Sequence, residues 1–266
     1  MSHAATFHAL HAGPGVLTLP NGWDAMSCRL LQEAGGKAVA TSSAAVAWSL
    51  GYPDGDALPV PLLIQTLENI ARVLSVPLTA DIEGGYSDDP ATVGETVARV
   101  IGAGAVGINL EDGGSAPDLH ARKVEAARAA AVKAGVDLFI NARTDVYLRG
   151  LAQGEAAVAE VLKRGKLYAD AGASGLFAPV VKNPDEIAAL AKGTSLPLNV
   201  MSMPGVPDAA ALAALGARRL SAGTGPSRVA WSAMSKAATA WIVTGDNDAL
   251  GAADKDAGNY NKLFAD

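Results

Sequence analysis

The 266-residue chain contains one cysteine, Cys28, so no internal disulfide can form, and there is no Cys-x-x-Cys pair to hold zinc. A lone thiol fits a reducing compartment, and a cytoplasmic location is the expectation. Aromatics are scarce, with four Trp, five Tyr and four Phe. That scarcity argues against an aromatic-rich β-sandwich. Lys and Arg total 21 against 27 Asp and Glu, for a net charge of −6, and no basic cluster stands out. Such an acidic chain is not expected to bind nucleic acid. No uncharged apolar stretch reaches the roughly 18 residues of a membrane span, so no membrane partner is expected. Met1–Leu10 lacks the basic and apolar regions of a signal peptide.

Alanine and glycine are abundant, at 55 and 29 residues. Hydrophobic residues make up 50% and charged residues 18%, too apolar a balance for disorder. Glycine shows no three-residue period, which excludes collagen. The length suits one barrel or α/β domain plus a short tail. Residues 1–243 read as the domain. Residues 244–266 read as a tail or helix packing on the barrel or on a partner subunit.

Eight short β-rich runs alternate with alanine-rich helical stretches. The runs are Gly15–Pro20, Lys37–Ser43, Val76–Glu83, Val106–Glu111, Asp137–Thr144, Gly175–Val180, Leu196–Met201 and Arg218–Ala222. Several are continuously apolar, as strands buried on both faces should be. Helices are expected over Pro90–Ala103, Asp118–Ala134, Gly154–Ala171, Asn183–Lys192 and Pro207–Leu215, and from Ser227 to about Thr244. Asp89-Pro90 and Asn183-Pro184 join a capping side chain to proline at the first helical position. Eight strands alternating with helices predict an α/β fold, a parallel (β/α)8 TIM barrel. An open doubly wound sheet is the runner-up, but its glycine-rich fingerprint after the first strand is missing.

In such a barrel the chemistry sits at the C-terminal ends of the strands. The second run ends Thr41-Ser42-Ser43, the third Asp81-Ile82-Glu83, the fourth Asn109-Leu110-Glu111-Asp112 and the fifth Asn141-Ala142-Arg143-Thr144-Asp145; the seventh carries Asn199. Crowded carboxylates need a cation or protons to offset their repulsion. Oxygen ligands suit Mg²⁺, and a neighbouring arginine suits a substrate carboxylate. Together they describe a site for a small oxo or hydroxy acid. Asp112 and Asp145 are weaker candidates, read as supporting or capping groups. Cys28 reads as a packed small hydrophobe, Lys123 as a solvated face residue and His120 as a first-turn helix residue.

Thr41-Ser42-Ser43-Ala44, Gly51-Tyr52-Pro53-Asp54, Asp81-Ile82-Glu83-Gly84-Gly85-Tyr86, Asn109-Leu110-Glu111-Asp112 and Asn141-Ala142-Arg143-Thr144-Asp145 together resemble the isocitrate lyase / phosphoenolpyruvate mutase superfamily. The resemblance runs from about Pro20 to Arg228. It implies a (β/α)8 barrel, often with the last helix swapped between subunits, assembled as a homodimer or homotetramer. It implies Mg²⁺, with Mn²⁺ as a substitute, held chiefly by Asp81 and partly through water by Glu83 and Glu111. It assigns substrate binding to Ser42, Ser43, Ala44, Arg143 and Asn199, and catalytic roles to Asp54, Arg143 and Glu111. The cysteine-bearing loop of the isocitrate-cleaving lyases is absent; Gly113-Gly114-Ser115-Ala116-Pro117-Asp118 stands there. The expected reaction is therefore C–C cleavage of a small 2-oxo or 2-hydroxy acid through an enolate-type intermediate, with oxaloacetate decarboxylation demanding least. Phosphonopyruvate hydrolysis or mutase-type P–C chemistry is one alternative, and a non-catalytic barrel binding 2-oxo acids is another.

Overall fold

A computed structural model describes residues 1–254 and 258–265. Nine strand segments form one parallel sheet: β1 (Leu17–Leu19), β2 (Asn21–Gly22), β3 (Val39–Thr41), β4 (Leu78–Asp81), β5 (Gly107–Glu111), β6 (Phe139–Arg143), β7 (Gly175–Phe177), β8 (Leu198–Met201) and β9 (Arg219–Ser221). The helices are α1 (His3–Ala12), α2 (Ala25–Glu33), α3 (Ser43–Ser49), α4 (Val60–Ala71), α5 (Pro90–Gly102), α6 (Pro117–Ala134), α7 (Gly154–Asp170), α8 (Pro184–Gly193), α9 (Ala209–Ala214), α10 (Gly225–Thr244), α11 (Asn247–Asp254) and α12 (Tyr260–Leu263).

All eight expected β runs contain a strand, and β1 and β2 are two halves of one crossing. Pro20 has no N–H, so it splits the ladder, yet its carbonyl still accepts the Ala40 N–H at 2.9 Å. β1 pairs with β9 and β2 with β3, which closes the barrel. Asn21 stitches this seam: its Oδ1 accepts the Ala222 and Gly223 N–H groups at 2.9 and 3.0 Å, while its Nδ2 donates to the Thr41 carbonyl.

Strand side chains alternate between the helix layer and the barrel interior. On β5, Ile108 and Leu110 pack outward with Val97 and Val124 in the main apolar cluster. Each such burial contributes roughly 1.5–3 kcal/mol. Asn109 faces inward, where its Oδ1 accepts from Asn141 Nδ2 at 2.9 Å and from Arg219 Nη2 at 3.1 Å. Beneath this polar layer, α1 plugs the barrel. Phe7 packs edge-on to Phe139, with centroids 5.4 Å apart, and His11 stacks on Phe139 at 4.0 Å. Gly107 makes the plug possible, because a Cβ there would lie 2.7 Å from the Phe7 ring.

α1 and α4 were not among the expected helices. Ser2 caps α1 by accepting the Ala5 N–H, and α4 opens with proline inside its first turn. The expected strand over Lys37–Ser43 ends at Thr41, because Ser42 turns the chain by capping α3. The long α10 buries only Ser227 and leaves Val229, Met234, Ile242 and Val243 exposed. Trp231 joins it to an aromatic cluster, 5.4 Å from Trp23 and 6.1 Å from Trp48. A groove of about 580 Å³ runs along the outer side of β1, lined by Val16, Thr18, Pro20, Leu31 and Leu220.

Candidate active site

The C-terminal ends of β3 to β6 bring the expected polar residues together. Parallel register sets Asp81 beside Asn109 and Glu111 beside Arg143. Ser42 spends its hydroxyl on the Ala45 N–H, and the Ser43 N–H donates to Asp81 Oδ2 at 3.3 Å. The Ser43 amide at the start of α3 therefore faces the Asp81 carboxylate.

Arg143 is held on two sides. Its Nε and Nη2 donate to the Asp145 carboxylate at 2.6 and 3.1 Å, and its Nη1 lies 2.6 Å from Glu111 Oε2. A guanidinium has five N–H bonds. Two are hydrogen-bonded to Asp145 and Nη1 meets Glu111 as an ion pair, so the terminal N–H groups not spent on Asp145 are available to a ligand carboxylate. Phe177 lies beneath the cation, 5.8 Å from its centre. Burial disfavours the Arg143 charge, but Glu111 and Asp145 more than offset it and raise its pKa.

Burial raises the pKa of Asp81, Glu83 and Glu111. Arg143 works against the rise at Asp81 and Glu111; the neighbouring carboxylates add to it at Glu111. Glu83 also fixes a loop. Its Oε2 accepts the Gly55 N–H at 2.8 Å and the Asp56 N–H, and its Oε1 accepts the Tyr86 hydroxyl at 3.0 Å. Asp56 returns a contact by accepting the Tyr86 N–H at 3.1 Å. Asp56, Glu83 and Tyr86 all have positive φ, at 57°, 53° and 61°. Three non-glycine residues in this region cost energy that their mutual hydrogen bonds offset. Asp54 stands at the edge of the same loop, exposed to solvent.

Asn199 lies deeper. It is buried within the barrel in register with Arg219; its Oδ1 accepts from Ser221 at 3.2 Å, and its Nδ2 has no protein partner. Asp112 is a buried supporting group, as expected, accepting the Asp145 N–H at 2.9 Å. His120 belongs to the start of α6 and packs edge-on to Tyr168 at 4.5 Å. Cys28 is fully buried, and burial pushes its thiol up to about 12.

Lys123 corrects the expected solvated position. Its side chain is 4% exposed, and its Nζ donates to the Gly84 carbonyl at 2.9 Å and to Asp88 at 3.3 Å. The buried face of α6 is His120, Ala121, Lys123, Val124, Ala127 and Ala131. Helical phase therefore held the signal, once His120 is counted as a buried position. Tyr86 and Asp56 were missed as loop anchors, because their role depends on backbone conformations that the residue types do not announce.

Among the described residues, no three His, Cys, Asp or Glu side chains converge closely enough to enclose a metal by themselves. The donor set fits a hard cation that keeps several waters. Asp81 is half-buried near other carboxylates and accepts a hydrogen bond on Oδ2, with Glu83 just beyond the same strand end and Glu111 at the end of the neighbouring strand. A divalent cation there would favour the charged forms that burial disfavours in all three.

The phosphoenolpyruvate phosphomutase family model matches residues 7–242. A solved structure from Burkholderia cenocepacia J2315, provisionally named a phosphonomutase, is 41% identical with a TM-score of 0.84, covering 88% of this chain and 97% of that one. The oxaloacetate decarboxylase of Rhodopseudomonas palustris (strain BisB5) is 27% identical over 246 residues, 87% of this chain and 82% of its own length. The phosphonopyruvate hydrolase of Variovorax sp. (strain Pal2) is 30% identical over 178 residues, 62% of this chain and 59% of its own. The chain belongs to the phosphoenolpyruvate phosphomutase family and is an enzyme of the isocitrate lyase / phosphoenolpyruvate mutase superfamily of lyases and mutases.

Proposed function

We propose that the chain cleaves a C–C bond of a small 2-oxo or 2-hydroxy acid, with oxaloacetate decarboxylation as the leading reaction. The observation that supports this reading is the pairing of Arg143, whose terminal N–H groups are not all spent on Asp145, with the half-buried carboxylates Asp81 and Glu111. Asp81 would hold Mg²⁺, or Mn²⁺ in its place, with Glu83 and Glu111 acting through water. When bound, the ion supplies Lewis acidity toward the keto oxygen.

Arg143 grips the carboxylate next to the keto group. The Ser42–Ala44 turn would bind beside the keto oxygen, with the Ala44 amide as its available donor where negative charge develops. The substrate bond between the methylene carbon (C3) and the distal carboxylate carbon (C4) would be oriented so that this carboxylate leaves as CO₂. Its electron pair moves into an enolate, which takes a proton from solvent to give pyruvate. Decarboxylation needs no acid for the leaving group. That agrees with the short turn after β5, where the Ser115 N–H closes on the Asp112 carbonyl at 2.7 Å and no cysteine is present. Asn199 Nδ2 is a candidate for the far end of a longer substrate. Glu111 is a catalytic candidate through its grip on Arg143.

A second reading is P–C chemistry on phosphonopyruvate, favoured by Asp54 at the mouth of the site. Pyruvate release from oxaloacetate beyond the background with Mg²⁺ alone supports the first reading. Phosphate release from phosphonopyruvate without that excess supports the second. Binding of both acids without turnover leaves a non-catalytic barrel.

The partner proposed for α10 is a second copy of the chain. Its exposed Val229, Met234, Ile242 and Val243, together with the groove along β1, suit a helix exchanged between subunits of a dimer or tetramer. Light scattering on the purified chain tests this, and a monomer at micromolar concentration would refute it. The described residues include no helix long and apolar enough to cross a membrane. The unpaired Cys28 supports a cytoplasmic location.

A further inference from the structure

We propose that Tyr168 and Arg164, on the outer helix α7, are positioning residues for Arg143, acting through the buried Asp112 carboxylate. The proposal rests on the reading of Arg143 as the substrate clamp. Asp112 grips the backbone on both sides of Thr144. Its N–H donates to the Arg143 carbonyl at 3.0 Å, and its Oδ1 accepts the Asp145 N–H at 2.9 Å. The Asp145 side chain in turn fixes Arg143 through Nε and Nη2. Any movement of Asp112 therefore reaches the guanidinium by two routes.

The Asp112 side chain is fully buried, so its charge must be met by fixed donors. α7 provides two of them at Oδ2: Arg164 Nη1 at 2.9 Å and the Tyr168 hydroxyl at 2.7 Å. Glu160 holds Arg164 from the other side through Nε at 2.7 Å. A helix outside the barrel thus sets how Arg143 presents its guanidinium to the site. Neither α7 residue reaches the mouth of the site. Both act by keeping the end of β6 in place.

The test is calorimetric titration of the full chain with oxalate and Mg²⁺, oxalate being a planar dianion shaped like the enolate of a 2-oxo acid. Tyr168→Phe removes one donor without changing the ring. It is expected to weaken oxalate binding about tenfold, the usual scale for a supporting hydrogen bond behind a ligand-binding group. Its expected effect on turnover is a raised KM with kcat nearly unchanged. In an Arg143→Lys background the same change should add no further loss. Equal oxalate affinity in wild type and Tyr168→Phe would overturn the proposal, as would an undiminished loss in the Arg143→Lys background. A wild-type chain that binds no oxalate refutes the substrate-clamp reading, and this proposal with it; that result differs from selective loss of the α7 effect. Arg164→Gln carries the same test should Tyr168→Phe fail to fold.

Discussion

Acidification should destabilise the fold through His11, the histidine of the α1 plug. His11 is 4% exposed, stacks on Phe139 at 4.0 Å and donates from Nδ1 to the Phe7 carbonyl at 2.8 Å. Its Nε2 has no partner. Burial, reinforced by the nearby Arg219 charge, lowers its pKa from 6.5 to about 3. The folded state therefore keeps this ring neutral, while the unfolded chain takes up a proton as pH falls through 6.5. More protons on the unfolded state mean that stability falls with pH. The contribution is fully present above the unfolded pKa and is lost progressively between 6.5 and about 3.

From about pH 7.5 to about pH 5.5 the unfolded ring gains most of one proton, for a loss near 1.4 kcal/mol. For a domain of this size that lowers Tm by roughly 3–6 °C. His11→Phe fills the same slot between two phenylalanines and cannot titrate. Thermal or urea unfolding at the two pH values, on wild type and variant, isolates the effect. The variant should be less pH-sensitive by that amount. Identical pH dependence of the two proteins would refute the neutral, buried assignment of His11.

Asp81→Ala should abolish Mg²⁺-dependent turnover while the far-ultraviolet spectrum stays unchanged; retained turnover would remove Asp81 from the metal site. Arg143→Lys should raise KM by about tenfold or more, because an ammonium cannot keep Asp145 and Glu111 and still offer a paired fork; steady-state kinetics with an unaltered KM would count against the clamp. Gly107→Ala should destabilise the chain by about 1–3 kcal/mol in a urea titration, because its Cβ would meet the Phe7 ring at 2.7 Å and Thr79 Oγ1 at 2.8 Å.

The barrel was legible because its signals are local. Asp89 and Asn183 cap α5 and α8 where capping side chain and proline stand together. The helices predicted over 90–103, 118–134 and 154–171 each lie within a residue or so of the observed ends. The four strand ends converge because the runs that become β3 to β6 each carry polar residues at the C-terminal end. α1 was not legible, because its buried set is Ala4, Phe7 and His11, with one large apolar side chain. Lys123 was misjudged because a lysine on a helix is usually solvated, whereas here the Gly84 carbonyl and Asp88 receive its ammonium. The Glu83 latch depends on left-handed backbone at Asp56, Glu83 and Tyr86, and those residue types do not require it.

The Pro20 seam bears on how the chain folds and opens. The strand before it finds its partner on β9, about two hundred positions away in sequence, whereas the strand after it pairs with neighbouring β3. Bringing such distant segments together carries the largest loop-closure entropy in the fold, so this ladder should form late. The Leu17, Ala222 and Gly223 amides, which bridge the two ends of the barrel, should then exchange with deuterium sooner than the β5–β6 amides.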